Sequence, residues 1–212
     1  MKKVHHLLVL VTLSLLTTPA IGQMRLVYED IDPNNHLKKL SFYSEKEGYS
    51  LFTKWLGFTQ DTGRTYTKNY ITNIDFGSYP VNPFFGFHGM GVKAFNKDTL
   101  FVYGDYSYEP VILRSVDQGN TFKLVHHSTT NELLSYGIVD MVFPQNSTIG
   151  YAIDDDRILK TTNKGLNWNI IYQSIDVGFN KLFFVNNLVG FAQAYNKLFK
   201  TTNGGASWQE IT

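Results

Sequence analysis

The chain has 212 residues, of which 43% are apolar, 15% aromatic and 17% charged, and its formal net charge is +1. A disordered chain is poor in aromatics and rich in charge, so this composition excludes one. The even charge balance excludes the basic field of a nucleic-acid binder, and the length allows one or two domains with a sizeable core.

The first segment with a character of its own is Met1-Lys2-Lys3, followed by an apolar run from Leu7 to Leu16 and a small-x-small triplet, Ala20-Ile21-Gly22. This order predicts a secretory signal peptide over residues 1–22, with Gln23 opening the mature protein. The run is too short to cross a bilayer, and no later stretch reaches about 18 apolar residues, so no membrane span is expected. Loss of Lys2 and Lys3 takes the formal charge from +1 to −1. The sequence has no cysteine, which excludes disulfides, a thiol-anchored lipid and a cysteine zinc site. An exported protein without disulfides fits a secreted or periplasmic bacterial envelope protein.

Residues 23–212 then divide into four units, each predicted as four short strands with turn signals between them. The first gives His36–Tyr43, Tyr49–Thr53, Leu56–Thr59 and Tyr66–Ile71; the second Val92–Phe95, Thr99–Gly104, Val111–Ser115 and Thr121–His126. The third gives Ile138–Phe143, Ile149–Ile153, Ile158–Thr161 and Asn167–Tyr172; the fourth Lys181–Val185, Val189–Ala194, Leu198–Thr201 and Ser207–Ile211. The unit boundaries are about 36–71, 92–126, 138–172 and 181–212. No stretch shows a helical period.

Between the third and fourth strands of every unit lies the same eight-residue segment. It is Thr59-Gln-Asp-Thr-Gly-Arg-Thr-Tyr66, then Ser115-Val-Asp-Gln-Gly-Asn-Thr-Phe122, Thr161-Thr-Asn-Lys-Gly-Leu-Asn-Trp168 and Thr201-Thr-Asn-Gly-Gly-Ala-Ser-Trp208, at spacings of 56, 46 and 40 residues. Gly63, Gly119, Gly165 and Gly205 supply a position where φ can be positive, so the backbone can reverse tightly. Asp61, Asp117, Asn163 and Asn203 can accept hydrogen bonds from nearby backbone N–H groups and tie the turn. Tyr66, Phe122, Trp168 and Trp208 open the next strand and fill space between layers. Repeats of this length with four strands each predict an all-β protein, a β-propeller of four-stranded antiparallel blades with four blades visible.

The turn resembles the Asp-box, or BNR repeat, of sialidase-like and sortilin-like β-propellers. The fuller pattern, at Gly150–Trp168 and Gly190–Trp208, is similar to the repeat of photosystem II assembly factor-like propellers. The resemblance implies that the repeated turn faces away from the usual binding site. That site would then be built from the turns between second and third strands and from the links between blades.

On that implied face lie Trp55, Asp105, Tyr106, Tyr108, Glu109, Arg157 and Tyr195, with Tyr79 in the link 72–91. That link is long and aromatic, and two readings of it are open: a functional loop or a cover for a sheet edge. A sialidase site, as the resemblance describes it, grips a carboxylate with three arginines. The sequence has Arg25, Arg64, Arg114 and Arg157, and only Arg157 falls on the expected face, which argues against that chemistry. Asp105, Glu109 and Asp154–Asp156 could supply a glycosidase carboxylate pair, though Asp is common in solvated turns. Three adjacent acids in a strand turn point different ways, so no metal is expected, and no cofactor motif is present. The resulting expectation is a non-catalytic module that binds a protein, peptide or glycan; the alternative is a carbohydrate-active glycoside hydrolase or a fragment of one. Four blades make a small ring, so an open arc with exposed edges, or a truncated reading frame, is expected as well.

Overall fold

The computed structural model describes residues 9–10, 25–26, 32–80, 86–128, 137–174 and 178–211. The expected signal peptide lies outside the described residues apart from Val9–Leu10, β1, which pairs antiparallel with Arg25–Leu26, β2. From residue 32 the described elements are strands, broken by one short 3-10 turn at Pro144–Asn146. The first blade is β3 (Leu37–Phe42), β4 (Gly48–Phe52), β5 (Leu56–Thr59) and β6 (Thr67–Asn69). After β7 (Ile74–Asp75), the second is β8 (Phe87–Ala94), β9 (Leu100–Tyr106), β10 (Glu109–Ser115) and β11 (Phe122–His127). The third is β12 (Ile138–Val142), β13 (Gly150–Asp154), β14 (Arg157–Thr161) and β15 (Asn169–Gln173). The fourth is β16 (Lys181–Phe184), β17 (Gly190–Ala194), β18 (Lys197–Thr201) and β19 (Gln209–Glu210). Each blade is an antiparallel meander in sequence order, the all-β architecture the repeats predict.

The strand ends differ from the expected ones where the sequence has no clear period. β8 starts at Phe87, inside the stretch expected to be a loop, and β19 is shorter than the predicted Ser207–Ile211. β7, in the same link, pairs in parallel with the outer strand of the second blade, Ile74 beside Phe122 and Asp75 beside Lys123. The Phe122 N–H donates to the Asn73 carbonyl at 2.9 Å. This part of the link therefore covers a sheet edge that would otherwise offer unpaired backbone groups.

Three apolar clusters hold the blades to one another. Tyr49, Leu51 and Leu56 of the first blade meet Val92, Leu100, Val102 and Leu113 of the second. Phe101, Tyr103 and Ile112 on the other face of the second meet Ile138, Met141 and Ala152 of the third. Tyr151, Ile153 and Ile158 of the third meet Leu182, Phe184, Ala192 and Phe199 of the fourth. Side chains alternate faces along a strand, so β9 and β13, sandwiched between neighbouring blades, and β4, covered on one face by the second blade and on the other by aromatic rings of its own, are buried along their whole length. Each large side chain so buried contributes about 1.5–3 kcal/mol. The outermost faces differ from these. On the first blade Phe52 stacks on Trp55 at 3.9 Å with Tyr66 edge-on, and these rings lie over Gly57, where a Cβ would come within 2.5 Å of Trp55. On the fourth blade Phe183, Val185 and Leu188 are exposed.

The repeated turn has one geometry at all four positions. The leading hydroxyl, of Thr59, Ser115, Thr161 or Thr201, accepts the N–H of Gly63, Gly119, Gly165 or Gly205 at 2.9 Å. The same hydroxyl donates to Asp61, Asp117, Asn163 or Asn203 at 2.8–3.0 Å. Those side chains in turn accept the backbone N–H of Thr65, Thr121, Asn167 and Ser207 at 2.9–3.0 Å. The residue before each glycine is left-handed as well: Thr62, Gln118, Lys164 and Gly204 have φ of 63°, 65°, 56° and 68°. Its N–H donates to the hairpin between the blade's own first two strands, at Lys46, Asp98, Thr148 and Leu188. The glycine then presses on the preceding blade. A Cβ on Gly119 would lie 2.8 Å from Leu56, on Gly165 2.5 Å from Phe101, and on Gly205 2.4 Å from Ile171.

The first strands of the blades converge on one carboxylate. β3, β8 and β12 each carry a bulge at the equivalent place, between Leu37 and Lys39, Gly89 and Gly91, and Ile138 and Asp140. Asp140 is buried; one oxygen accepts from Lys39 Nζ at 3.0 Å, and the other accepts the Leu182 N–H at 3.1 Å with Lys181 Nζ 3.7 Å away. One carboxylate thus joins the first, third and fourth blades.

Three outcomes are expected from these contacts. Gly165→Ala meets both a positive φ and Phe101, and should lose about 1–3 kcal/mol in urea denaturation, whereas Lys164→Gly should be neutral or stabilising. Asp140→Ala leaves the buried Leu182 N–H unpaired and should lose about 1–3 kcal/mol in the same assay, more than Asp140→Asn. Hydrogen bonds from the Thr65 backbone and hydroxyl hold the Asp61 carboxyl down at about 2. At Asp117 burial is the largest single effect and pushes the pKa up, but the hydrogen bonds from the Thr121 hydroxyl and N–H, the Ser115 hydroxyl and the Asn120 N–H together outweigh it and lower the pKa too. A depressed pKa stabilises the fold above the ordinary carboxylate range and is lost as pH falls through the depressed value. Acid should therefore speed amide exchange at Thr65 and Thr121 before Asn167 and Ser207, whose turns carry asparagine.

Candidate functional site

The hairpins between second and third strands, with the links between blades, lie at the end of the sheets opposite the four repeated turns, because strands alternate direction. Three of these hairpins close with two-residue loops, which need left-handed residues. Ser107 and Tyr108 have φ of 54° and 66°, Asp155 57° and Tyr195 48°. Tyr108 and Tyr195 are 50% and 78% exposed. Trp55, expected on this face, is instead 4% exposed in the aromatic layer over Gly57, because Phe52 and Tyr66 close around it.

Three groups of residues sit at this end. In the first, the Tyr79 hydroxyl donates to the Glu109 carboxylate, the Tyr79 ring lies 4.7 Å from that of His127, and Phe76 meets Tyr106 edge-on at 4.7 Å. Burial, then the bond to Glu109, pushes the Tyr79 hydroxyl pKa well above its ordinary value. The phenol thus stands as a hydrogen-bond donor to Glu109.

In the second group Asp105, 8% exposed, has one oxygen 3.2 Å from Nδ1 of the largely exposed His88. Asp105 pairs with Pro110 and Tyr106 with Glu109 across the β9–β10 hairpin. Neighbouring residues of a strand point to opposite faces, so Asp105 and Glu109, both expected site acids, are directed away from each other.

The third group lies between the second and third blades. Asp154 is fully buried; Arg157 donates to it at 3.1 Å, the Ser128 hydroxyl donates to it, and His126 Nε2 is 3.9 Å away. Gly137, the residue before β12, packs against β9 of the second blade. Its φ is +73°, and a Cβ there would be 2.6 Å from the Gly104 carbonyl, so only glycine fits.

Of the residues expected on this face, Tyr79, Tyr106 and Glu109 come together, while Asp105, Arg157, Tyr108 and Tyr195 stand in separate places. Phe76, His88, His126, Ser128 and Asp154 belong to the same groups; the sequence offers Asp154 as a glycosidase acid and Phe76 and His88 as part of the aromatic link, but pairs none of them with the partner it meets here. Strand alternation is the signal for them: Asp154 faces Arg157 across its hairpin, and His88 faces Asp105. Among the described residues, no three His, Asp or Glu side chains are placed to hold a metal ion, and no helix is long and apolar enough to cross a membrane.

No family model matches the protein, and no curated protein matches it in sequence. Solved structures do. A GH74 enzyme of Niastella koreensis superposes with a TM-score of 0.62 at 15% identity, over 83% of this protein and 30% of that one. YCF48 from Cyanidioschyzon merolae superposes at 0.56 and 14% identity, over 86% and 58%. An extracellular domain of the BT4673 protein of B. thetaiotaomicron superposes at 0.60 and 11% identity, over 83% and 22%. The protein spans less than two thirds of each of these. At such identities the likeness concerns the fold, and with the four blades described above it shows a β-propeller fold.

Proposed function

We propose that this protein is an exported, non-catalytic β-propeller module that binds a protein, peptide or glycan partner through the face bearing the hairpin tips. In this reading residues 1–22 are an export signal, 23–212 are the propeller module, and the four repeated turns are Asp-boxes with a structural role. The observation that carries the proposal is the division of labour on the hairpin face. Its acids are engaged internally, Glu109 by Tyr79, Asp105 by His88 and Asp154 by Arg157, while Tyr108 and Tyr195 project with large exposed rings. Exposed aromatics supply contact area at small loss of side-chain entropy, for sugar faces and protein surfaces alike. The enzyme alternative needs two carboxylates facing one bond at a fixed separation, and the hairpin register directs Asp105 and Glu109 apart.

The test uses immobilised protein with two probes, a random-peptide display library and soluble xyloglucan, the latter because GH74 xyloglucanase is among the folds it resembles. Capture of a ligand is expected, with at least about a tenfold loss of affinity in the Tyr108→Ala, Tyr195→Ala double variant. No reducing sugar should be released from xyloglucan. Release by the parent protein that Asp105→Asn or Glu109→Gln abolishes would overturn the reading.

A further inference from the structure

The fourth repeated turn contains Asn203-Gly204, the sequence's one asparagine followed directly by glycine. That pair is chemically reactive. The backbone nitrogen of the glycine, unshielded by a neighbouring Cβ, can attack the amide carbon at the tip of the asparagine. A new C–N bond closes a five-membered succinimide, the original amide C–N bond of the asparagine breaks, and its nitrogen leaves with a transferred proton as ammonia. Water then opens the ring at either carbonyl, giving aspartate or isoaspartate. No oxidant or cofactor takes part.

The folded turn blocks every movement this reaction needs. The Gly204 N–H is held by the Leu188 carbonyl at 2.8 Å. The Asn203 amide oxygen accepts from the Thr201 hydroxyl and the Ser207 N–H, both at 3.0 Å, and its NH2 donates to the Ser207 hydroxyl at 2.8 Å. The third blade reaches over to fix the Gly204 carbonyl, through Lys160 Nζ at 2.8 Å and the Tyr151 hydroxyl at 3.2 Å. The lock nevertheless sits on the blade with least to hold it. Among the described residues β19 pairs with β18 at two register positions, with the Ile211 N–H also donating to the Leu198 carbonyl, and Leu188, whose carbonyl blocks the reactive nitrogen, is exposed, as are Phe183 and Val185. Such a segment opens locally more readily than a core strand.

The other turns show what each product would do. In the first and second, aspartate already stands at this position: Asp61 and Asp117 accept the backbone N–H of Thr65 and Thr121, and their second oxygen accepts the Thr hydroxyl at 2.7 and 2.6 Å. Ser207 occupies the place of those threonines, so aspartate at 203 keeps every contact once that hydroxyl rotates. Isoaspartate moves a methylene into the backbone and shortens the arm that carries the carboxylate, so it cannot span from Thr201 to Ser207.

We propose that Asn203 is a deamidation site which the folded turn holds shut, so that its conversion records opening of the fourth blade. Peptide mass mapping of the whole protein, incubated in mildly alkaline buffer with and without urea, reads both rates. Conversion at Asn203 should be on the order of a hundredfold slower in the native protein, and Asn163, followed by lysine in the same turn geometry, should convert slowly in both. Ser207→Ala, which loses one of the restraining bonds, should raise the native rate several-fold and leave the unfolded rate unchanged. Asn203→Asp should keep the parent's melting temperature. Equal native and unfolded rates, a native rate unmoved by Ser207→Ala, conversion of Asn163 as fast as Asn203, or a destabilised Asn203→Asp would each overturn the proposal.

Discussion

The structure depends on how closely one blade's turn can approach the blade before it. A four-stranded sheet with two apolar faces is not stable alone, and here every face between two blades is satisfied by a neighbour at a fixed distance. The turn glycines set that distance: at Gly119, Gly165 and Gly205 an atom of the preceding blade lies 2.4–2.8 Å from where a Cβ would be. The glycine is therefore required twice over, by its positive φ and by the side group pressing on it. The hydroxyl at the head of the turn makes the approach reproducible, since it holds the glycine N–H and the Asp or Asn at once.

Much of this is legible in the sequence because the repeat is periodic. The four segments set the number of blades, the place of the turns and the aromatic residues that open the outer strands. Two features of the turn escape. The leading Ser or Thr is recognisable as part of the motif but not as the atom on which it converges, since a single hydroxyl carries little signal among many. The second left-handed residue is hidden because Thr62, Gln118 and Lys164 are not glycines; only Gly204 advertises it.

The hairpin face is harder to read, for a physical reason. Aromatic residues there look alike in sequence whether they project or fill space. Trp55 and Tyr108 both follow a strand into a tip, yet Trp55 lies flat on Phe52 because Gly57 leaves room beneath it, while Tyr108 stands out on a left-handed residue. The acids are ambiguous for a related reason: proximity in sequence brings Asp105 and Glu109 into one expected group, and the parity of strand positions separates them. The link with β7 holds two readings, and its described part serves as an edge cover.

The Asp140 contacts have a geometric meaning beyond their strength. Lys39 belongs to the first blade and Asp140 to the third, so their 3.0 Å separation is a chord drawn across the second. That carboxylate ties the first blade directly to the third, while neighbouring blades meet through rings and glycines in contact. Two interactions of unlike chemistry, one of charge and one of side-group volume, thus share the spacing of the blades.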